Sequence, residues 1–273
     1  TWYETDSAVV EGLLGDCVRQ VNKSVTVGDY TMALESFAMD ENDLGIAWVV
    51  VTCPKGFKYT TETGANEYGD PALSQDSEFR SIGLAWEEDR YPRCWPEVNE
   101  EFTTPTELHL LLHFDANPDG KDLTRLTWSM TVMGHEDDEG VIVVEPPEKR
   151  VETVQCTSDE SEFVVSVSPF GYVVDGHAVS QEYHEAVEEK ALFTMSDGTE
   201  LVALEELEEL DGYSLVTYNL FFATMPKDHH SGRAVTTFFI NTDALESVTI
   251  QQTVYGGDED RVNTGDVVFY PVR

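Results

Sequence analysis

Four residues in the stretch FDANPDGKDL, Asp115, Asn117, Asp119 and Gly120, fall on the first, third, fifth and sixth positions of an EF-hand calcium loop. Oxygen ligands at that spacing suit a hard cation. The twelfth position, which has to supply a bidentate carboxylate, is Leu126, so the ligand set is incomplete. An Asn-Pro-Asp-Gly core is also what a turn between strands selects. Asp115, Asn117 and Asp119 are therefore calcium candidates set against a solvated turn, which is the preferred reading.

The other metal-ligating patterns are weaker. His109 and His113 form HxxxH, which on a helix aligns two imidazoles for zinc. The surrounding TPTELHLLLHF alternates like a strand, where side chains four residues apart are separated by roughly 13 Å. The pair is not expected to share a metal. His229 and His230, in the polar stretch MPKDHHSGR, lack a third ligand nearby. Cys17, Cys53, Cys94 and Cys156 show no CxxC spacing, so neither a zinc ribbon nor a thioredoxin motif is available. Disulfides remain open with three connectivities, Cys53–Cys94 being the first pair to test because both flank prolines at expected strand ends; free thiols are the alternative.

Acidic runs at Glu136 to Glu139, Glu205 to Leu210 and Asp258 to Asp260 are expected in solvated loops. With 53 Asp and Glu in the chain, carboxylate pairs arise by chance and do not single out a hydrolase. The sequence has no GxSxG elbow, P-loop, GxGxxG fingerprint or HExxH. No catalytic residue and no cofactor is assigned, and an enzyme is disfavoured. Tyr91 and Trp95 in DRYPRCWPE are candidates for a sugar-stacking platform, with core or edge packing as the alternative.

Sixteen Lys and Arg against 53 Asp and Glu give the 273-residue chain a formal charge of −37. Phosphate backbones and anionic headgroups are repelled by such a surface, so no nucleic-acid partner is expected and the chain is not expected to bind anionic membranes by itself. Apolar residues at 41% and aromatics at 11% are enough to build cores, which argues against disorder. There is no run of 18 apolar residues, and TWYETDSAVV has neither the basic nor the apolar part of a signal peptide. The chain as given is expected to be soluble, and it is compatible with the exported part of a longer protein.

The elements that would position these residues follow from periodicity. SAVVEGLLGDCV places Val9 or Val10, Leu13 or Leu14, and Cys17 on one helical face. From Ser24 the period becomes two, through SVTVGDYTMALESF, LGIAWVVVTC, SIGLAWEE, ELHLLLHF and LTWSMTVMG. Leu126, Trp128, Met130 and Val132 alternate with Thr127, Ser129 and Thr131, the pattern of a half-buried antiparallel strand. Pro146 and Pro147 mark a boundary. Beyond it EFVVSVSPFGYVVDG, ALFTMSDGTEL, SLVTYNLFFATM, RAVTTFFINT, SVTIQQTVYGG and DVVFYPVR restart the β pattern, with Asp197–Gly198 as a tight hairpin turn. SQEYHEAVEEKALF and LEELEEL are expected to form one or two helical turns each. The predicted fold is all-β: two tandem Ig-like β-sandwich domains with a short N-terminal helix, over 1–147 and 148–273.

The run from Cys17 to Val51 resembles the opening of a family of uncharacterised extracellular domains of Gram-positive, membrane-anchored anti-sigma factors, through Gln20 to Thr26, Tyr30 to Phe37 and Ile46 to Val51. VVSVSPFGYVVDG, SDGTEL and the stretch from Asn241 to Ile250 resemble the second domain of those ectodomains. The resemblance implies a non-catalytic sensory or interaction domain on the outer face of the cell membrane. Its partner would be an unknown extracellular ligand or protein, and a sigma factor would be reached only through a transmembrane helix and cytoplasmic segment ahead of Thr1. The other reading is a secreted surface adhesin or carbohydrate-binding module. Calorimetric titration of calcium into the chain and into Asp115→Ala separates turn from site. Equal heats are expected; a binding isotherm lost in the variant establishes calcium.

Overall fold

The computed structural model of the chain describes residues 12–57, 79–85, 92–99, 101–117, 123–135, 138, 140–175, 187–210, 213–218, 220–222, 232–255 and 261–273. These residues are nearly all β, arranged in several antiparallel sheets. Among them no helix is long and apolar enough to cross a membrane. They fall into two compact units, one built from Leu14–Met39 and Asp43–Arg150, the other including Asp40–Asn42 and Val151–Arg273. Of the expected N-terminal helix, the described part is a helical turn at 12–14 leading into a 3-10 turn, Gly15–Cys17. Val9 and Val10 lie outside the described residues.

The first unit contains β1 (Arg19–Val27), β2 (Tyr30–Met39), β3 (Leu44–Thr52), β4 (Phe79–Leu84), β5 (Arg93–Val98), β6 (Glu107–Asp115), β7 (Leu126–Val132) and β8 (Gly140–Val144). They form a five-stranded sheet ordered β1-β2-β3-β6-β5 and a three-stranded sheet ordered β4-β7-β8. Both sheets turn apolar faces to one core. The predicted alternation of β7 is present: Leu126, Trp128, Met130 and Val132 are buried, and Thr131 on the opposite face is exposed. Trp128 joins the two sheets, its ring 5.2 Å from Phe114 and 6.2 Å from Phe37. Withdrawing an aromatic side chain of this size from water contributes about 4–6 kcal/mol. Phe57 also reaches this core, its ring 6.0 Å from Tyr30.

The strands at the open side of this unit are closed by cations. Lys23 Nζ on β1 donates to the Val143 carbonyl at 3.0 Å, and Arg19 Nη1 donates to the carbonyls of Glu145 at 2.6 Å and Pro146 at 2.9 Å. Carbonyls along the β8 edge thereby receive charged donors instead of a neighbouring strand, a device that blocks edge-to-edge association. Beyond β8, Arg150 Nη1 pairs with Asp43 Oδ1 at 2.9 Å and Lys149 pairs with Asp16.

The second unit contains β9 (Val154–Ser158), β10 (Ser161–Ser168), β11 (Gly171–Asp175), β12 (Val187–Met195), β13 (Glu200–Leu210), β14 (Tyr213–Tyr218), β15 (Leu220–Phe222), β16 (Gly232–Thr236), β17 (Leu245–Tyr255) and β18 (Arg261–Pro271). Hydrogen bonding is continuous through all ten, in the order β14-β13-β12-β17-β18-β9-β10-β11-β16-β15. Val165 and Tyr172 from one half of that sheet share a core with Phe193, Val248 and Ile250 from the other, and the rings of Tyr172 and Phe193 lie 5.7 Å apart. The Asp197–Gly198 hairpin forms as expected, with Gly198 at φ 83° and the Met195 N–H donating to the Thr199 carbonyl at 2.9 Å. The expected helical turns at EELEEL are corrected, and those in SQEYHEAVEEKALF are corrected for its second half, residues 180–186 lying outside the described residues. EELEEL lies in β13, and VEEKALF of the other segment lies in β12. Leucines at spacing three gave a helical look, but pairing of β13 with both β12 and β14 satisfies its backbone as strand.

Gly140 tests the closure of the first unit. A Cβ there would meet Val27 Cγ2 at 2.6 Å and the Met130 carbonyl oxygen at 2.7 Å. Gly140→Ala is expected to destabilise the protein by about 1–3 kcal/mol, read as a lower urea midpoint at unchanged slope. An unchanged midpoint would show that β8 does not approach Val27 this closely.

Candidate functional site

Strand alternation divides the side chains of the five-stranded sheet. Ala47, Val49 and Val51 of β3 and Leu108, Leu110, Leu112 and Phe114 of β6 enter the core, and Cys94 and Val98 of β5 pack against it. Residues of the opposite parity occupy the outer face. Register places them in rows: Ile46, His113 and Trp95; then Trp48, Leu111 and Glu97; then Val50 beside His109. Trp95, a candidate from sequence, thus lies on this face. Tyr91 lies outside the described residues.

Two carboxylates organise the imidazoles. Glu107 Oε1 lies 2.7 Å from His109 Nε2, and Glu97 Oε2 lies 2.9 Å from His113 Nε2. Each carboxylate fixes a ring while keeping about half of its own side chain exposed, 46% for Glu107 and 54% for Glu97. Nδ1 of His109 is buried with no partner among the described residues, so the contact with Glu107 is the polar anchor of the ring. The two histidines occupy one strand, as the alternation predicts, and the structure gives them separate carboxylate partners.

An aromatic group completes the face. Trp48, Phe102 and His109 meet in pairs with ring centroids 6.1, 6.0 and 6.0 Å apart. Phe102, in the turn after β5, remains 44% exposed. Rings at these spacings favour edge and tilted contacts and hold one another in place. Such a floor can stack a flat or cationic group while the neighbouring carboxylates accept hydrogen bonds. Trp48 and Phe102 were not picked out from sequence. The available signals were a Trp at the outward parity of an apolar strand and one aromatic inside the acidic stretch NEEFTT.

The calcium candidates sit at the end of β6. The Asn117 N–H donates to Asp115 Oδ1 at 3.1 Å in a local turn, and Asn117 Nδ2 donates to Asp43 Oδ2 at 2.8 Å. Asp43 thereby holds Asn117 with one oxygen and Arg150 with the other. Asp115 and Asn117 are buried. Asp119 and Gly120 lie outside the described residues, as do His229, His230 and Asp258 to Asp260. Among the described residues no group of three His, Cys, Asp or Glu converges as metal ligands would.

The second unit carries a cleft of about 520 Å³ lined by Thr153, Val154, Gln155, Thr242, Asp243, Val272 and Arg273. Several of its polar groups are engaged internally. Thr153 Oγ1 donates to Glu41 at 3.0 Å, Gln155 Nε2 donates to Ser166 Oγ at 2.9 Å, and Arg273 Nη2 donates to the Leu245 carbonyl at 2.9 Å.

The suggested Cys53–Cys94 bridge is corrected by register. The Cys53 N–H donates to the Thr106 carbonyl at 3.0 Å, while Cys94 pairs with Phe114. The difference of eight residues (114 − 106) along one extended chain corresponds to about 26 Å, far beyond the ~7 Å Cα limit for a disulfide. All four cysteines are free thiols. Burial pushes the Cys94 and Cys156 thiols up to about 12.

No protein-family model matches the chain, and no curated protein matches it. A crystal structure described as that of the conserved domain protein from Bacillus anthracis is similar over 95% of this chain and 93% of that one, at 8% identity and a TM-score of 0.46.

Thiol labelling checks the cysteine assignment. At about pH 8, rapid reaction is expected only at Cys17, because the other three thiols are buried or raised. Four thiols are expected in denaturant without reductant; two would restore a disulfide.

Proposed function

We propose that the chain is a non-catalytic binding module, the extracellular sensory domain of an anti-sigma factor-like regulator held at the outer face of the cell membrane. In this reading the tandem units are Ig-like sandwich modules, and the outer face of the five-stranded sheet receives the ligand. What supports it most is the preorganised group of Trp48, Phe102 and His109 beside the half-exposed carboxylates of Glu97 and Glu107. The segments that carry the family resemblance also fall on consecutive paired strands, β1, β2 and β3. A ligand changes the output only if it binds two states of the protein with different affinity. The sigma factor would respond through a cytoplasmic segment of the longer protein.

One observation favours a second reading, a surface adhesin or carbohydrate-binding module. Phe102 backed by Trp48 offers an aromatic surface of the kind on which a sugar ring stacks.

A sigma-dependent reporter in cells carrying the full-length gene distinguishes the two. Phe102→Ala is expected to change reporter output by about fivefold or more at unchanged protein level. An unmoved reporter, together with Phe102-dependent pelleting of the chain on insoluble polysaccharide, would replace the sensor by the carbohydrate module.

A further inference from the structure

We propose that the Trp48–Phe102–His109 face binds a cationic peptide segment bearing arginine or lysine, with Phe102 stacking on the cation and Glu97 and Glu107 accepting its hydrogen bonds. The inference rests on the reading of this face as the binding surface and names the class of ligand.

Phe102 is exposed but held. Trp48 meets its ring edge-on at 6.1 Å and His109 meets it tilted at 6.0 Å. An exposed ring fixed by two others loses little freedom when a ligand covers it. The segment that carries it has one sign of charge. Residues 96–107, PEVNEEFTTPTE, contain Glu97, Glu100, Glu101 and Glu107 and no Lys or Arg. Glu97 and Glu107 each contact an imidazole through one oxygen and leave about half of the side chain to solvent.

Charge complementarity then selects among ligands. An anionic polymer is repelled by four carboxylates in twelve residues and by the −37 of the whole chain. A neutral sugar gains from the ring and from hydroxyl hydrogen bonds to the carboxylates, but not from attraction between net charges. A guanidinium or ammonium group gains from both, through the negative face of the ring and through charge-assisted hydrogen bonds to the carboxylates.

Fluorescence anisotropy with labelled hexa-arginine, and with hexa-citrulline as its uncharged counterpart, tests the proposal on the folded chain at about 0.15 M NaCl. Hexa-arginine is expected to bind and hexa-citrulline not. Phe102→Ala and Glu107→Gln are each expected to weaken binding by about threefold to tenfold. Asp159→Asn with Glu160→Gln, on the exposed turn between β9 and β10, is the charge control and is expected to cost less than about twofold. Unchanged far-ultraviolet circular dichroism shows that the variants fold. Equal weakening in all three variants would mean general attraction to an acidic surface and overturn the site. Phe102-dependent binding of cellohexaose without a response to hexa-arginine would overturn the cationic ligand yet keep the face as a binding surface. If neither probe binds and the reporter is unmoved, the ligand class and the sensory reading fail together.

Discussion

The constraint on which the first unit depends is the strict alternation of β6. This strand pairs with β3 on one side and β5 on the other, so its register fixes three strands together. Leu108, Leu110, Leu112 and Phe114 are bound to the core that Trp128 fills. His109, Leu111 and His113 have no choice of face once those residues are placed. A slip of one residue would put two imidazoles into the core and expose three leucines and a phenylalanine. The apolar core thereby selects the register that assembles the polar outer face, and the candidate site is a consequence of packing on the far side of the sheet.

That outer face is not an ordinary solvated one. His113, Leu111 and Val50 are buried there, while Trp48 and Trp95 are partly buried. Burial of imidazole demands a partner, and Glu97 and Glu107 supply it. Glu97 and Glu107 keep about half of each side chain exposed, so the partners of the buried floor also form an acidic rim beside it. The chemistry of the rim therefore originates in the need to satisfy the floor.

Much of this was legible in the sequence, and the exceptions have physical causes. The alternation of LTWSMTV and ELHLLLHF gave both the strands and the separation of the two histidines, because period two is a local property. EELEEL misled because leucines three apart fit a helix; the deciding term was pairing with β12 and β14, which depends on sequence far away. Cys53 and Cys94 looked alike locally, both within two residues of a proline, yet β6 lies between their strands and their registers differ by most of its length. Trp95 was found as an aromatic near a turn, whereas Trp48 was hidden in an apolar run whose two faces composition does not distinguish. The grouping of Phe102 with Trp48 and His109 joins three segments and could not be read from any one of them.

Charge links the fold to the candidate site. The chain has only sixteen Lys and Arg, and several described ones serve internal contacts. Arg19 and Lys23 satisfy carbonyls at the β8 edge, Arg150 holds Asp43, Arg233 donates to the Asn42 carbonyl, and Arg273 donates to the Leu245 carbonyl. Sixteen cations cannot balance 53 carboxylates however they are placed, and exposed pairs such as Lys55–Asp29 are screened by salt and contribute little. The acidic excess is consequently left on the surface, including the rim around Phe102. An aromatic floor alone would be chemically undiscriminating. Set within that excess, it distinguishes ligands by sign of charge before any contact is made, which makes the face selective.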